Sequence, residues 1–178
     1  NILLARFLGA NLYGIFTYSK SIVSLAFTFV DLGSTNALLR YIPQYQNSSR
    51  ASGAIVFLSI LSTVIGSTVT AVLLYFAAPF ISEITLNNSL FVATLRTFAF
   101  VLPFRALFRL FATTLRSLEI IHLSVLSQEI LEPVLRLLSI MIALLLGFSV
   151  VGSALAVVVA TVVTLVITGL MVLVKTTL

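Results

Sequence analysis

From Ser52 to Ala78 the chain runs through 27 residues without one charged side chain. A barrel strand crosses a bilayer in about 10 residues, so a run of this length matches a helix crossing about 30 Å of hydrocarbon instead. Only helices and closed barrels satisfy every backbone amide and carbonyl where water is absent. Comparable apolar runs flank this one. With 60% hydrophobic and 8% charged residues and a mean hydropathy of +1.22, the chain lacks the polar surface to coat a soluble domain. The sequence therefore predicts an all-α polytopic membrane helix bundle.

The expected order is the end of a first membrane helix over Asn1 to Gly9, then about five full transmembrane helices. These run from about Tyr13 to Ile42, Ser52 to Ala78, Phe91 to Leu118 and Ile120 to Leu146, with a last span ending near Val174. Gly9 and Gly14 mark the first turn, and Pro79 is expected to end its helix, leaving Phe80 to Leu90 as a mixed loop in the interface. The chain opens at Asn1 without Met and stops just past an apolar run at Lys175. That reads as a single transmembrane domain over 1–178, cut from a longer protein at both ends.

The formal net charge of +5 is spread through apolar segments and not gathered into a solvated patch, which argues against a nucleic-acid partner. Zero Cys excludes disulfides, thiolate metal sites and a Cys nucleophile. His122 stands without metal-ligand partners at useful spacing, and neither a Ser, His and Asp set nor a phosphate-cradling glycine loop is present. No catalytic residue, metal or cofactor is expected.

Two polar features interrupt the apolar pattern. In the second span Tyr13, Thr17, Lys20, Ser24, Thr28, Asp31 and Thr35 follow one another at spacings of 4, 3, 4, 4, 3 and 4, one face of a helix. Such a face either packs as a polar seam or lines a cavity. Lys20 and Asp31 lie roughly 16 Å apart along it, too far to pair.

The second feature is Phe104 to Arg136, which carries Arg105, Arg109, Arg116, Glu119, Glu129, Glu132 and Arg136. A charge near a bilayer centre costs roughly 3 kcal/mol, so each needs a partner or a wet cavity. Arg105, Arg109 and Arg116 fall within about 40° of one another on a helix. A turn near Glu119 sets Arg109 level with Glu129 and Arg105 level with Glu132, and Glu132 with Arg136 is an i, i+4 pair. Arg105, Arg109, Glu129, Glu132 and Arg136 sum to +1, and Pro103 and Pro133 bend the helices that carry them. A structural ion-pair network and a cavity for an anionic substrate both fit. Arg96, on the far side, is expected to snorkel, and Arg116 to anchor the cytoplasmic end. Stripes at Ser59, Thr63, Gly66 and Thr70, and at Gly152, Ala156, Ala160, Thr164 and Thr168, suit close helix packing.

Read in order, Ala5-Arg6-Phe7-Leu8-Gly9, Tyr13-Gly14, Asp31-Leu32-Gly33, Ala37-Leu38-Leu39-Arg40-Tyr41-Ile42-Pro43 and Leu131-Glu132-Pro133-Val134-Leu135-Arg136 resemble the polysaccharide (oligosaccharide) flippases of prokaryotes. These belong to the multidrug/oligosaccharidyl-lipid/polysaccharide superfamily. The resemblance implies one lobe of a two-lobe, multi-pass transporter of the cytoplasmic membrane, the second lobe lying outside this sequence. It implies a lipid-linked anionic oligosaccharide moved by alternating access, polysaccharide-synthesis membrane proteins as partners, and no enzymatic activity. It makes Arg6 a candidate phosphate contact beside Lys20, Asp31, Arg105 and Arg109. The alternatives are a cation-coupled multidrug or small-solute antiporter using Asp31 or Glu129, a membrane-embedded glycosyl- or phosphotransferase, and a structural membrane subunit.

Alternating spans put the basic loops around Arg40 to Arg50, Arg116 to His122 and Lys175 on one face, which the positive-inside rule assigns to the cytoplasm. A cysteine placed at Asn87 in this cysteine-free chain is expected to react with an impermeant reagent added outside the cell. Reaction from the cytoplasmic side alone would contradict the topology.

Overall fold

In a computed structural model, backbone is described for residues 2–31, 49–117 and 121–176, and side chains for 9–30, 53–117 and 122–173. The described residues form α1 (Ile2–Asp31), α2 (Ser49–Thr85), α3 (Ser89–Ala99), α4 (Val101–Ser117), α5 (Ile121–Val125), a π-helical stretch (Leu126–Leu131), α6 (Glu132–Leu145) and α7 (Val150–Thr176). No strand occurs among them. The end of the expected second span and the loop carrying Arg40 and Pro43 lie outside the described residues, as does Glu119.

Among the described residues three units are long and apolar enough to cross a membrane: Gly53–Thr85, Ser89–Ser117 and Val150–Leu173. The chain is thus a multi-pass membrane helix bundle. Packed among these three are α1, with its polar stripe, and the α5–α6 unit, with its charges. The outward side of α2 presents Phe57, Leu61, Ile65, Val69, Leu73 and Phe76, all exposed, as a lipid-facing surface does. Its opposite side buries Ser59, Thr63, Ser67, Leu74 and Ala78, so the expected small-residue stripe is a packing face. Hydroxyls on such faces return to their own helix: Ser67 donates to the Thr63 carbonyl at 2.6 Å, Thr94 to Leu90 at 2.7 Å and Thr164 to Ala160 at 2.7 Å.

The core joins Ile15, Phe16, Val23 and Phe27 of α1 to Phe91, Leu95, Phe98 and Leu102 of α3 and α4, with Ile140 and Val157 beside them. Phe16 meets Phe98 edge-on at 5.1 Å between ring centroids, and Phe27 lies under Arg105 and Arg109. Both pairings advance together, so α1 and the α3–α4 unit run parallel, as alternating spans require. The α5–α6 unit runs back along α4, tied by Ser124 Oγ, which donates to the Ala112 carbonyl at 2.7 Å and accepts from Gln128 Nε2 at 3.0 Å. That register agrees within a residue or two with the one expected from a turn near Glu119.

Gly9 is where α1 departs from helix, with φ 78° and ψ 163°, so the expected turn is a kink inside one element. Pro79 does not end α2, which continues to Thr85; only Leu86 to Asn88 form the turn. The proline removes the donor for the carbonyl four residues earlier, that of Tyr75. Arg96 Nε donates to this same carbonyl at 3.4 Å, and its guanidinium sits 4.7 Å over the Tyr75 ring. Arg96, expected to snorkel, thus completes a neighbouring helix.

Pro103 has the opposite outcome. The expected single fourth helix is interrupted at Phe100, one residue after the Ala99 carbonyl that the proline ring crowds. Ahead of Pro133 the chain takes up the π-helical stretch, where the Glu132 N–H reaches back to the Ser127 carbonyl. At the far end of α6, the Phe148 N–H bonds the Ala143 carbonyl and the Gly147 N–H the Leu144 carbonyl, both at 3.0 Å, with Gly147 at φ 74°. This is a Schellman cap. Phe148 then folds over Gly152, where an added Cβ would stand 2.5 Å from the Phe148 Cβ. The buried face of α7 accordingly runs through Ser153, Ala154, Val157, Ala160, Thr161, Thr164 and Thr168, so the expected seam holds from Ala160 onward while Gly152 and Ala156 sit at its edge.

Replacing Gly147 by Ala forces a side chain into the left-handed region and is expected to cost about 1 kcal/mol of stability, with Asn costing less. Unfolding in detergent micelles measures it, and an unchanged midpoint for Gly147→Ala would contradict the cap.

Candidate functional site

The helices that carry charge meet around a cavity of about 350 Å³. α1 contributes Phe16, Lys20 and Val23, the α3–α4 unit Phe98, Val101 and Arg105, α6 Pro133, Arg136, Leu137 and Ile140, and α7 Val157 and Thr161. Arg105 lies about 24 Å from the Ser89 end of its unit and about 18 Å from the Ser117 end. Arg136 and Thr161 likewise come from the interior of their helices, so the cavity sits near mid-depth. The break at Phe100 and the π-helical stretch before Pro133 adjoin it. Discontinuous helices around a midplane cavity are the arrangement in which transporters build substrate sites.

The electrostatics are one-sided. The described lining residues include three cations, Lys20, Arg105 and Arg136, and no carboxylate. Arg136 is held by Glu132 through an ion pair within α6, both half-buried. Arg105 lies with its Cζ 4.9 Å above the Phe27 ring centroid and Arg109 with its Cζ at 5.8 Å. A cation over an aromatic face keeps its charge while shedding water, which suits an apolar wall. Lys20, Arg105 and Arg136 bring like charge to the one cavity. Mutual repulsion of this kind is relieved by an anion placed among the three.

α1 presents Thr17, Lys20, Ser21, Ser24 and Thr28, all exposed, while its other side buries Ile15, Phe16, Val23 and Phe27. The polar stripe therefore faces away from the bundle's own core. Thr28 satisfies its hydroxyl on the Ser24 carbonyl at 3.1 Å.

Of the candidate residues, Lys20 and Arg105 meet in the cavity. Arg109 is exposed beside it on Phe27 and is not among the lining residues. Glu129 is exposed and lies within the π-helical stretch. Arg6 and Asp31 fall within α1, but their side chains lie outside those described. Arg136 was legible in sequence only as an ion-pair member; its place on the cavity wall depends on how α6 packs. Thr161 carried no charge to flag it. Arg116 is exposed at the end of α4, and His122 is exposed near the start of α5.

The described residues thus form a multi-pass helix bundle with a cationic cavity at mid-depth. Over residues 1–177 the chain matches the polysaccharide biosynthesis protein family, and it belongs to that family. Neither a curated protein nor a solved structure matches it.

Leu137 lines the cavity and is 59% exposed, so Leu137→Cys reports its potential in a chain without other cysteines. It is expected to react about tenfold faster with an anionic thiol reagent than with a cationic one of equal size. Equal rates would contradict a cationic cavity.

Proposed function

We propose that this chain is one lobe of a flippase that carries lipid-linked oligosaccharide across the cytoplasmic membrane of a prokaryote by alternating access. The observation that carries the proposal is the mid-depth cavity walled by Lys20, Arg105 and Arg136 with no lining carboxylate among the described residues. A lipid diphosphate brings two or more negative charges that must pass through hydrocarbon. Charge-assisted hydrogen bonds from an ammonium and two guanidinium groups replace the water it leaves behind. The exposed hydroxyls of α1 offer a polar path for the sugars, and the isoprenoid tail stays in lipid. A second lobe facing the α1 stripe would close the cavity, and rocking of the two lobes would open it to either side.

The chain's role on this reading is passage, with no bond made or broken. The polysaccharide biosynthesis family supports a place in that process and leaves the particular glycan open. The antiporter alternative rests on a cation-binding carboxylate. Of its two candidates Glu129 stands outside the cavity lining, which favours an anionic passenger.

Alanine substitution of Lys20 or Arg105 in the full-length protein is expected to lower transfer of lipid-linked oligosaccharide at least about tenfold at matched protein level, the scale of one lost charge-assisted bond. Arg116→Ala, away from the cavity, is expected to leave it unchanged. Unchanged transfer in Lys20→Ala and Arg105→Ala would overturn the proposal.

A further inference from the structure

On the side of the α3–α4 break away from the cavity, a second hollow of about 250 Å³ opens between α2 and the break. Its walls include Ala71, Tyr75, Phe76, Ala99, Phe100 and Pro103, with no charged residue among those described. It lies beside the break, where the Phe100 ring is 59% exposed and its centroid stands 5.9 Å from that of the Tyr75 ring. The neighbouring surface of α2 is the exposed apolar face.

One end of this groove is charged. Arg96 stacks on Tyr75, a wall residue, and uses Nε for the Tyr75 carbonyl. A guanidinium has five N–H donors, so the Nη groups remain for an anion, and their planar fork suits phosphate oxygens.

The depth of these groups decides what fits. The 29-residue unit Ser89–Ser117 is about 43 Å long and overhangs a 30 Å hydrocarbon core by about 6 Å at each end when centred. Arg96, about 10 Å from the Ser89 end, then sits about 4 Å below the hydrocarbon edge, within reach of the headgroup layer. Pro103 sits near the midplane. The groove therefore runs from a cation at the leaflet surface down apolar walls to the bilayer centre, the polarity of a lipid molecule in that leaflet.

We propose that this groove is a binding site for an anionic phospholipid of the bilayer, its phosphate on Arg96 and one acyl chain lying between α2 and the Phe100 break. The site is separate from the cationic cavity and does not depend on which substrate the cavity carries. An acyl chain there lies against the break that, on its other side, adjoins the cavity.

Phe100→Trp places a reporter on the groove wall in a chain that has no Trp. The protein is reconstituted in vesicles of phosphatidylcholine and phosphatidylglycerol, with brominated acyl chains on one lipid or the other. Brominated phosphatidylglycerol is expected to bind with roughly fivefold preference over brominated phosphatidylcholine at equal mole fraction, the scale of one cation acting on one anionic headgroup. Two further changes read the site independently: Arg96→Gln is expected to remove the preference, and Ala71→Leu, which keeps Arg96 and fills the groove, to reduce quenching by both lipids. Equal quenching in the parent, or a preference that survives both changes, would overturn the proposal. So would displacement by a polyprenyl phosphate but not by unbrominated phosphatidylglycerol at the same mole fraction, since the groove would then hold the tail of a transported lipid.

Discussion

Cations at the middle of a bilayer must be kept in company, and the rest of this bundle follows from how that is done. An isolated guanidinium there would cost several kcal/mol. Arg105 lies against the Phe27 ring and Arg136 pairs with Glu132, so each is stabilised where it stands. Lys20 comes from a third helix and faces the same space. This division sorts the elements: α2, the α3–α4 unit and α7 are apolar enough to meet lipid, while α1 and the α5–α6 unit place Lys20 and Arg136 at the cavity.

Three prolines in the described chain show why local sequence does not determine helix continuity. Each removes one backbone donor and crowds one carbonyl. At Pro79 the orphaned Tyr75 carbonyl receives Arg96 from another helix, and α2 continues. At Pro103 the chain is interrupted at Phe100. At Pro133 the preceding turn widens to π-helical bonding. Two of the three irregularities adjoin the cavity, where irregular backbone is tolerated because it is covered by protein or wet. The third lies beside the lipid-facing groove and is repaired by a side chain.

Much of this was legible from the residues. Apolar runs of 27 residues left only a helical bundle, and the spacing from Tyr13 to Thr28 placed Lys20 on a face separate from Phe16, Val23 and Phe27. Equal-depth counting from a turn near Glu119 gave nearly the register that Ser124 and Ala112 adopt. What failed had tertiary causes. The continuity of α2 past Pro79 depends on an arginine that arrives from α3. Pro133 is expected to bend its helix, and the turn before it widens to i to i+5 bonding through Leu126–Leu131. Arg109 shares a helical face with Arg105, yet one turn further along it lies over the Phe27 ring and is not among the residues that line the cavity.

The central claim is that the cavity recognises an anion carried on a lipid. Its most direct measurement compares the binding of a short polyprenyl diphosphate with that of the corresponding alcohol to the full-length protein in detergent. The account predicts that the diphosphate binds at least about tenfold more tightly and that this advantage disappears when Lys20, Arg105 and Arg136 are all replaced by Gln. Equal affinity for the two compounds, or an advantage that persists without the three cations, would contradict it.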